Sequence, residues 1–439
     1  MGSKFSSIHT AVTKYLLYSL CLVTPLLLTF STYELFEFPK MIFVYLVAIL
    51  LIALKLSQVV TTGTWPKLKR PTKFDLTILL FLGLNLLATF FSTHPPTSIF
   101  GYYTRLNGGL LSLGCYLVIY HTFRVELQKE GLPFLKKCLG LLVTAACLVS
   151  IYAWGQHFGL DKGMWVQDSQ ARAFSTLGQP NWLAAFLLLI LPVILTRYLQ
   201  TTKTRLRNLY FSLFALCFGA FWFTYSRAGL VGLLFSTLLL LVFTPRTLLK
   251  QHRKKLAFLT LMCLVIGLGQ PGLFKEHLAK LVNRKLAVHA TEPLGTTPEI
   301  KEVGGDTGRI RLLVWQGTLR LIADQPLLGT GPETFAYSFL PYRPAALNQT
   351  TEWDFLYNKA HNEYLNIAVN CGLPGLLVFL GIVWQTFRQA FKNRQNLTTV
   401  GLSCGLLGML VANFFGFSVV TTSLLFWIYL AAISYRSTQ

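Results

Sequence analysis

Residues 181–199 read NWLAAFLLLILPVILTRYL, an almost uninterrupted apolar run with a single charged side chain, Arg197, near its end. A helix of this length crosses the roughly 30 Å hydrocarbon core of a bilayer. Only helices and closed barrels satisfy their backbone hydrogen bonds in lipid, and the run is far too long for a barrel strand. It therefore predicts a transmembrane helix.

Similar apolar blocks recur along all 439 residues. Only 13% of the residues are charged and the mean hydropathy is +0.52, whereas a soluble protein carries about 25% charge. We therefore predict an all-α integral membrane protein with about 12 transmembrane helices. The expected spans lie near residues 12–30, 41–57, 74–92, 107–122, 134–154, 181–199, 208–225, 228–244, 256–270, 362–387, 400–415 and 417–435.

The net charge of +22 is divided unevenly between the two sides of the predicted membrane protein. If successive loops alternate between the sides, the side with both termini holds 24 of the 39 Lys and Arg residues but three of the 17 acidic ones. Lys and Arg in short loops mark the cytoplasmic side. Both termini are therefore expected in the cytoplasm, and the polar loop at residues 271–360, between the ninth and tenth helices, outside. The charge follows topology and gives no indication of nucleic-acid binding.

Several classes of protein are disfavoured by what the sequence lacks. The first apolar block has no small-residue cleavage site, so a signal peptide is not expected. The eight cysteines lie in or beside apolar blocks without disulfide or metal-ligand spacing. There is no Walker A loop, dinucleotide-binding glycine turn or HExxH motif, and no acidic pair of the DxD kind to hold a metal for a diphosphate. We therefore expect neither a cofactor nor a metal site.

The external loop contains its own helical pattern. Apolar residues recur at helical spacing and predict an amphipathic helix that ends before Pro326, because a proline disfavours helix in the preceding residue. Residues 333–343 predict a second short amphipathic helix, and residues 285–308, rich in Thr, Gly, Pro and Glu, a mobile segment. The apolar face expected on the first helix consists of Leu312, Trp315, Leu319 and Ile322.

His361 lies where the external loop meets the tenth apolar block. An imidazole titrates near neutral pH and can take the proton of a sugar hydroxyl. The alternative is a histidine that anchors a helix end at the lipid interface. Asn362 and Glu363 can hydrogen-bond to an imidazole, and arginines precede it in the loop, so His361 is the leading candidate for a catalytic base.

Arginines near the predicted external surface are the second candidate group. Arg227 stands between two apolar blocks with almost no loop, where a charge is costly and usually functional, although it could instead reach lipid phosphate. Arg309 and Arg311 precede the predicted loop helix, and a role on the helix surface is the alternative. If Arg227 and Arg311 converge, their guanidinium groups would bind a diphosphate through paired hydrogen bonds. Arg105 and Arg172 are further candidate anion contacts.

Aromatic residues of the loop allow two interpretations. Trp353, Phe355 and Tyr357 would stack on sugars, or they would anchor the protein at the membrane surface as aromatic residues commonly do. Both interpretations remain open at this point.

These motifs resemble those of the O-antigen ligase and O-antigen polymerase superfamily, whose members share a Wzy C region. The resemblance spans most of the chain and is strongest from 225 to 380. One departure is Ala228, where glycine is common in the family. The residues that carry the resemblance are Ser226, Arg227, Ala228 and Gly229, then Arg311, Trp315, Pro326, Gly329 and Gly331, and finally His361, Asn362, Gly372 and Gly375.

The resemblance implies a GT-C-like fold and an inverting, metal-independent glycosyltransferase. Its donor would be a glycan on undecaprenyl diphosphate, and its acceptor a sugar of lipid A–core, at the outer face of the bacterial cytoplasmic membrane. His361 would be the general base, and Arg227 and Arg311 would bind the diphosphate. The remaining candidate substrate-binding residues are Arg309, Arg105, Arg172, Asn362, Tyr225 and Trp315.

The resemblance also suggests a division at residue 225, with transmembrane helices 1–7 in residues 1–225 and the ligase- or polymerase-type region in residues 226–435. Three alternatives stay open. A polysaccharide polymerase would use the same donor, and so would a protein O-oligosaccharyltransferase, although such proteins usually carry a soluble C-terminal extension and this sequence stops after its last predicted span. A twelve-span small-anion transporter would be built from two similar halves with a mid-membrane site, whereas the long loop here is asymmetric.

Overall fold

The structure is a computed structural model that describes residues 2–63, 72–268 and 307–435. Within these ranges the chain is helical and has no strand, which confirms the predicted all-α class. The predicted mobile segment lies outside the described residues, apart from Thr307 and Gly308.

The α-helices begin and end close to the predicted apolar blocks, and each of the twelve blocks overlaps one of them. The helices of the first half are α1 (Gly2–Val23), α2 (Glu37–Thr62), α3 (Lys73–Phe90), α4 (Pro95–Phe100), α5 (Leu110–Glu130), α6 (Leu132–His157), α7 (Pro180–Gln200) and α8 (Thr204–Trp222). They are followed by α9 (Arg227–Phe243), α10 (Arg246–Gln251), α11 (Arg253–Leu268), α12 (Thr307–Asp324), α13 (Phe335–Ser338), α14 (Glu363–Lys392), α15 (Leu397–Ala412) and α16 (Val420–Ser434).

Six of the described helices are long and apolar enough to cross a membrane, namely α2, α3, α6, α7, α14 and α15 with its continuation to Phe415. Helices α9 and α16 are apolar but shorter. The remaining helices that overlap predicted spans, α1, α5, α8 and α11, carry charged residues within their ends. The chain is thus a multi-pass membrane protein, and the number of twelve spans stays a prediction.

Small residues pack two of these helices, α7 and α9, tightly against α15. A Cβ added to Gly232 of α9 would lie 2.5 Å from the carbonyl oxygen of Gly408, and one added to Gly405 would lie 2.8 Å from the carbonyl oxygen of Leu189 in α7. Glycines allow helix backbones to approach closely in lipid, where burial of apolar surface no longer drives association. This close packing brings the starts of α7 and α9 next to the end of α15.

A turn at residues 326–331 is docked into a kink of α14. The kink is at Gly372, whose φ of 70° is left-handed and therefore favours glycine. The backbone N–H of Thr330 donates to the carbonyl of Val369 over 2.7 Å, and that of Leu373 donates to the carbonyl of Pro326 over 2.8 Å. Gly329, Gly331 and Gly372 of the sequence motifs are thus structural, because they join the turn after α12 to α14 through close backbone contacts.

Residues 307–362, called the loop subdomain below, have an apolar cluster of their own against the start of α14. Helix α12 ends at Asp324, as Pro326 predicted. The predicted apolar face of α12 is wrong in part, since Leu312 and Leu319 are 64% and 57% exposed. The buried face is formed instead by Ile310, Val314, Gly317, Thr318 and Leu321.

The second predicted loop helix is much shorter than residues 333–343. It consists of α13 and a single 3₁₀ turn at Leu340–Tyr342. Pro341, which has no backbone N–H to donate, lies within this turn and limits continuation of the helix. The segment from there to His361 contains one further 3₁₀ helix, Ala345–Gln349, and no α-helix.

Candidate active site

A cavity of about 230 Å³ lies between the loop subdomain and the ends of α7, α9 and α15. Its polar lining contains two arginines, one histidine, one carboxylate and three side-chain amides, and its apolar lining comes from four aromatic and five aliphatic side chains. The residues that line it are Arg172, Gln179, Asn181, Trp182, Ala185, Ala228, Gly229, Ile310, Arg311, Val314, Glu352, Tyr357, His361, Ala412, Asn413, Phe415, Gly416 and Phe417.

Arg172 is fixed at the cavity by the loop between α6 and α7. Its Nε donates to the carbonyl of Thr224 over 3.0 Å, and its Nη2 donates to Oδ1 of Asn181 over 3.3 Å. The loop itself is tied to the buried carboxylate of Asp161, which accepts hydrogen bonds from the side chains of Tyr152, Gln156, Trp165 and Ser169. The guanidinium is therefore held before any ligand arrives.

Arg227 is the first residue of α9, and the preceding residue is the helix cap. The Ser226 hydroxyl accepts from the backbone N–H of Gly229 over 3.0 Å, which is the usual stabilising contact at a helix start. The same hydroxyl donates to Oδ1 of Asn181 over 2.8 Å. Asn181 thus joins Arg172 to the start of α9, where Ala228 and Gly229 line the cavity next to Arg227.

The guanidinium groups of Arg172, Arg227 and Arg311 are close enough to influence one another. Burial lowers the pKa of Arg172, and the charges of Arg311 and Arg227 lower it further. Burial also lowers the pKa of Arg311, while Glu352 raises it and Arg227 lowers it. Arginine stays charged despite such shifts. The three like charges repel one another, and an anion bound among them would relieve that repulsion.

Glu352 is the acidic residue of the described cavity lining. Its Oε2 accepts a hydrogen bond from the Tyr357 hydroxyl over 2.7 Å, and both side chains line the cavity. The carboxylate stabilises the charged form of Arg311. A negative group therefore lies on one side of the cavity, opposite in charge to the arginines.

The backbone at His361 is held in a left-handed conformation, with a φ of 53°. The indole of Trp315 donates to the carbonyl of Ala360 over 3.0 Å, and the N–H of Ala360 donates to Oδ1 of Asn366 over 2.7 Å. Asn362 caps α14, since its Oδ1 accepts from the N–H groups of Tyr364 and Leu365. These contacts fix the direction in which the imidazole leaves the backbone.

The imidazole of His361 packs edge-on against Phe417, with ring centroids 5.4 Å apart. Burial is the main cause that lowers its pKa to about 4, and the charges of Arg311, Arg105 and Lys359 act in the same direction. The ring is therefore neutral at pH 7. Within the described part of the chain, it makes no hydrogen bond, so a nitrogen is available to a ligand.

Asn362 and Glu363 do not hydrogen-bond to the imidazole, contrary to the prediction. Oδ1 of Asn362 serves the helix cap, and Oε2 of Glu363 accepts the backbone N–H of Ser418 over 2.8 Å. Glu363 thereby holds the segment that carries Phe417. Both residues support the position of His361 instead of contacting its ring.

Left-handed backbone conformations in residues other than glycine occur at His361 and near several of the candidate arginines along the chain. Such conformations are strained and gather at functional sites. Leu106 follows Arg105, Tyr225 lies two positions before Arg227, and His361 is itself one of them. Among the described residues, the remaining examples are Ser175, in the loop of Arg172, and Glu333, which pairs with Lys359.

Of the predicted substrate-binding residues, only Arg172 lines the cavity. Arg309 is exposed on α12 and lies outside the lining. Arg105 lies behind the lining, with its guanidinium 5.0 Å from the Trp182 ring and 5.5 Å from the Phe417 ring. Three further residues lie next to the lining. Trp315 and Asn362 hold the backbone around His361. Tyr225 precedes Ser226, the cap of α9.

Two residues of the site had no signal in the sequence. Glu352 lies in a polar turn, and Phe417 follows a glycine between two apolar helices. Each is a common residue in an ordinary local setting. Only the packing of distant segments gives them a place at the cavity.

The comparison with protein families supplies the decisive observation. Residues 212–380 match the family model described as O-antigen ligase (Wzy_C). This region, called the matched region below, is similar to the O-antigen ligase family. A search of curated proteins gave no match. The matched region includes Arg227, Arg311 and His361, while the cavity wall also uses Arg172, Asn181 and Phe417 from outside it.

The family match supports a ligase- or polymerase-type function in glycan assembly, and hence a glycosyl-transferring enzyme that works with lipid-linked glycans in a bilayer. The matched region begins at residue 212, within α8. The predicted division of the chain at residue 225 stays a prediction.

Proposed function

We propose that the cavity transfers a glycan from undecaprenyl diphosphate to a sugar hydroxyl of an acceptor, with lipid A–core as the acceptor, at the outer face of the bacterial cytoplasmic membrane. One observation carries the proposal: Arg172, Arg311 and His361 line a single cavity. Arg227 begins the helix that forms the next part of the wall and interacts electrostatically with both other arginines. A cluster of guanidinium groups beside a neutral imidazole suits an anionic leaving group and a hydroxyl nucleophile.

In the proposed reaction, His361 takes the proton of the acceptor hydroxyl as its oxygen forms a bond to the anomeric carbon of the donor. The bond from that carbon to the diphosphate oxygen breaks, and its electron pair leaves with the polyprenyl diphosphate. A single displacement of this kind inverts the anomeric configuration. A positioned general base contributes about 10²–10⁴ in rate.

The arginines act on the leaving group. Arg227 and Arg311 would bind the diphosphate and stabilise the negative charge that grows on it, with Arg172 as a further contact. A diphosphate is already a good leaving group, so guanidinium groups are sufficient and no metal is required. The bound diphosphate would also offset the positive charges near His361, which raises the pKa of the imidazole and makes it a stronger base when the donor is present.

The bilayer would hold the polyprenyl tail. The cavity lies at the ends of α7 and α9, and several side chains of α9 are apolar and exposed, among them Leu234 and Leu238. A hydrocarbon chain packed between such helices would place its diphosphate at the level of the arginines. The donor glycan would then extend away from the membrane, beside the loop subdomain.

A polymerase on the same donor is the second candidate, because the family match supports ligase and polymerase types alike. The spacing of His361, Asn362, Gly372 and Gly375 resembles the ligase pattern and favours the ligase. A protein O-oligosaccharyltransferase would share the donor and differ only in its acceptor.

The proposal is tested with purified protein, an undecaprenyl-diphosphate glycan and separate acceptors: lipid A–core, a second lipid-linked glycan and an acceptor peptide. Transfer to lipid A–core in one step identifies a ligase, and a ladder of lipid-linked products identifies a polymerase. Transfer should persist in a chelator of divalent metals. The absence of transfer to every acceptor would refute the proposed function, and a strict metal requirement would refute the arginine-based scheme.

A further inference from the structure

A second cavity of about 210 Å³ lies within the loop subdomain. Its aromatic lining consists of Phe339, Trp353, Phe355 and Tyr357, and its charged lining includes Arg343 and Asp354. The side chains of Trp353 and Phe355 are 63% and 50% exposed. The cavity is therefore an open aromatic cleft with a charged edge.

Tyr357 belongs to both cavities. Its ring lies edge-on to Phe339 and Phe355, with centroid distances of 5.9 and 5.1 Å. Its hydroxyl donates to the carboxylate of Glu352, which lines the first cavity together with His361. A single side chain thus separates the aromatic cleft from the cavity that holds the imidazole.

The cleft is built on a fixed backbone. The guanidinium of Arg343 donates to Oδ1 of Asn348 and, over 2.6 Å, to the carbonyl of Trp353. It also contacts the carbonyl of Glu352 at 3.4 Å. These bonds hold the turn that carries Trp353 and Phe355, so the turn is already ordered before a ligand binds.

The charges on the cleft argue against insertion into lipid. Asp354 is exposed between Trp353 and Phe355, and within the described residues its carboxylate has no hydrogen bond or ion pair. A carboxylate in hydrocarbon is strongly disfavoured. Flat apolar rings beside free hydrogen-bonding groups suit a sugar, which has an apolar C–H face and hydroxyls around its rim.

We propose that this cleft binds the acceptor glycan, with Trp353 and Phe355 stacked on a sugar ring and Asp354 accepting hydrogen bonds from its hydroxyls. The inference rests on the proposed function and adds a subsite to it. The next sugar of the same glycan would pass Tyr357 and meet Glu352, whose carboxylate accepts from sugar hydroxyls. One hydroxyl of that sugar would then face His361.

The first test measures binding without transfer. Lipid-free core oligosaccharide, released from lipopolysaccharide by mild acid, is titrated into the purified full-length protein by calorimetry. Trp353→Ala and Phe355→Ala should each weaken binding about tenfold, or about 1.4 kcal/mol, because each removes one of the two flat apolar rings proposed to stack on the sugar. Trp353→Phe should keep most of the affinity, because a flat ring remains.

Tyr33→Ala is the matched control, because Tyr33 is an exposed aromatic residue that lines neither cavity. It should leave the affinity unchanged. Equal affinity of wild type and Trp353→Ala overturns the proposal, and so does a wild type that does not bind the oligosaccharide. Size-exclusion profiles that match the wild type exclude unfolding as the cause of weaker binding.

The second test separates a sugar subsite from a lipid anchor. In transfer assays, Trp353→Ala should raise KM about tenfold for a lipid-free acceptor as well as for lipid A–core, with kcat and the KM of the donor unchanged. An effect on the lipid-borne acceptor alone would make Trp353 a membrane anchor and overturn the subsite. If the oligosaccharide binds through Trp353 but no glycan is transferred, the subsite stands and the proposed function fails.

Discussion

Trp315 donates its indole N–H to the carbonyl of Ala360, the residue immediately before His361, over 3.0 Å. The indole also packs edge-on against Phe414, with ring centroids 5.5 Å apart. Helix α12, which carries Arg311, is thereby connected to the backbone that carries the imidazole. Trp315 does not itself line the cavity. It aligns Arg311, the proposed diphosphate contact, with His361, the proposed base.

Trp315→Phe keeps an aromatic ring and removes this hydrogen bond. We expect kcat to fall about tenfold with little change in either KM, because an unpaired carbonyl costs about 1–3 kcal/mol and frees the backbone before His361. Steady-state kinetics with varied donor and acceptor provide the measurement. Trp384→Phe, at an exposed tryptophan of α14, should behave like the wild type, and an equal loss in both variants would contradict a positioning role.

His361→Asn tests the proposed base. Asparagine adopts left-handed conformations more readily than most residues, so the backbone at φ 53° should be retained. Without an imidazole, transfer should fall about 10²–10⁴-fold, while the affinity for the donor, measured by binding, changes little. His252→Ala, between α10 and α11, is the control. Full transfer by His361→Asn would end the assignment of the base.

Arg227→Lys and Arg311→Lys keep the charge and lose the planar fork of the guanidinium. Each should lower kcat about 10²-fold if paired hydrogen bonds stabilise the leaving diphosphate. Arg320→Lys, on an exposed position of α12, should leave kcat unchanged. If the lysine variants were as active as the wild type, a positive charge alone would be enough to stabilise the leaving diphosphate, and the paired hydrogen bonds of the guanidinium would not be needed.

Arg311→Gln should shift the pH dependence of kcat/KM. The neutral imidazole is the reactive form, so activity of the wild type should fall only as the pH drops towards about 4, the pKa of His361 in the free protein. Removal of the positive charge of Arg311 raises this pKa, so the acid limb should move to higher pH. Arg311→Lys retains the charge and should keep the wild-type limb. If the acid limb of the pH profile lay at the same pH in the wild type and in Arg311→Gln, the charge of Arg311 would have no effect on the pKa of His361.

Gly232→Ala tests the close approach of α9 and α15. The new Cβ would lie 2.5 Å from the carbonyl oxygen of Gly408, so the helices must separate at a cost of about 1–3 kcal/mol. Thermal unfolding in detergent should show a lower Tm. Gly114→Ala on α5, where a Cβ meets nothing within 4 Å, is the control and should keep the Tm. An unchanged Tm for Gly232→Ala would contradict tight packing there.

Much of the fold was predictable because lipid restricts the backbone to helices. The apolar blocks located the helices, and Pro326 located the end of α12. The face of α12 was predicted incorrectly, since Leu312 and Leu319 are apolar without being buried. Periodicity shows which residues share a face, but it does not show which face meets the protein.

The sequence motifs singled out Arg227, Arg311 and His361, whereas Arg309 was predicted as a further substrate contact. Residues two apart on a helix do not share a face, and the structure brings only Arg311 to the cavity. Glu352 and Phe417 were missed because their role depends on segments far away in the chain. No local pattern encodes such a contact.

The wall of the first cavity also has consequences for divergence within the family. The residues proposed to perform the chemistry lie between 227 and 361, whereas Arg172, Asn181, Trp182 and Phe417 complete the enclosure from flanking parts of the chain. Among these flanking residues, Arg172 is a proposed diphosphate contact and Phe417 packs against the ring of His361. Substitution of Trp182, in contrast, would reshape the cavity without changing either contact. We therefore expect variation at this tryptophan to alter the glycan preference while the transfer step is kept.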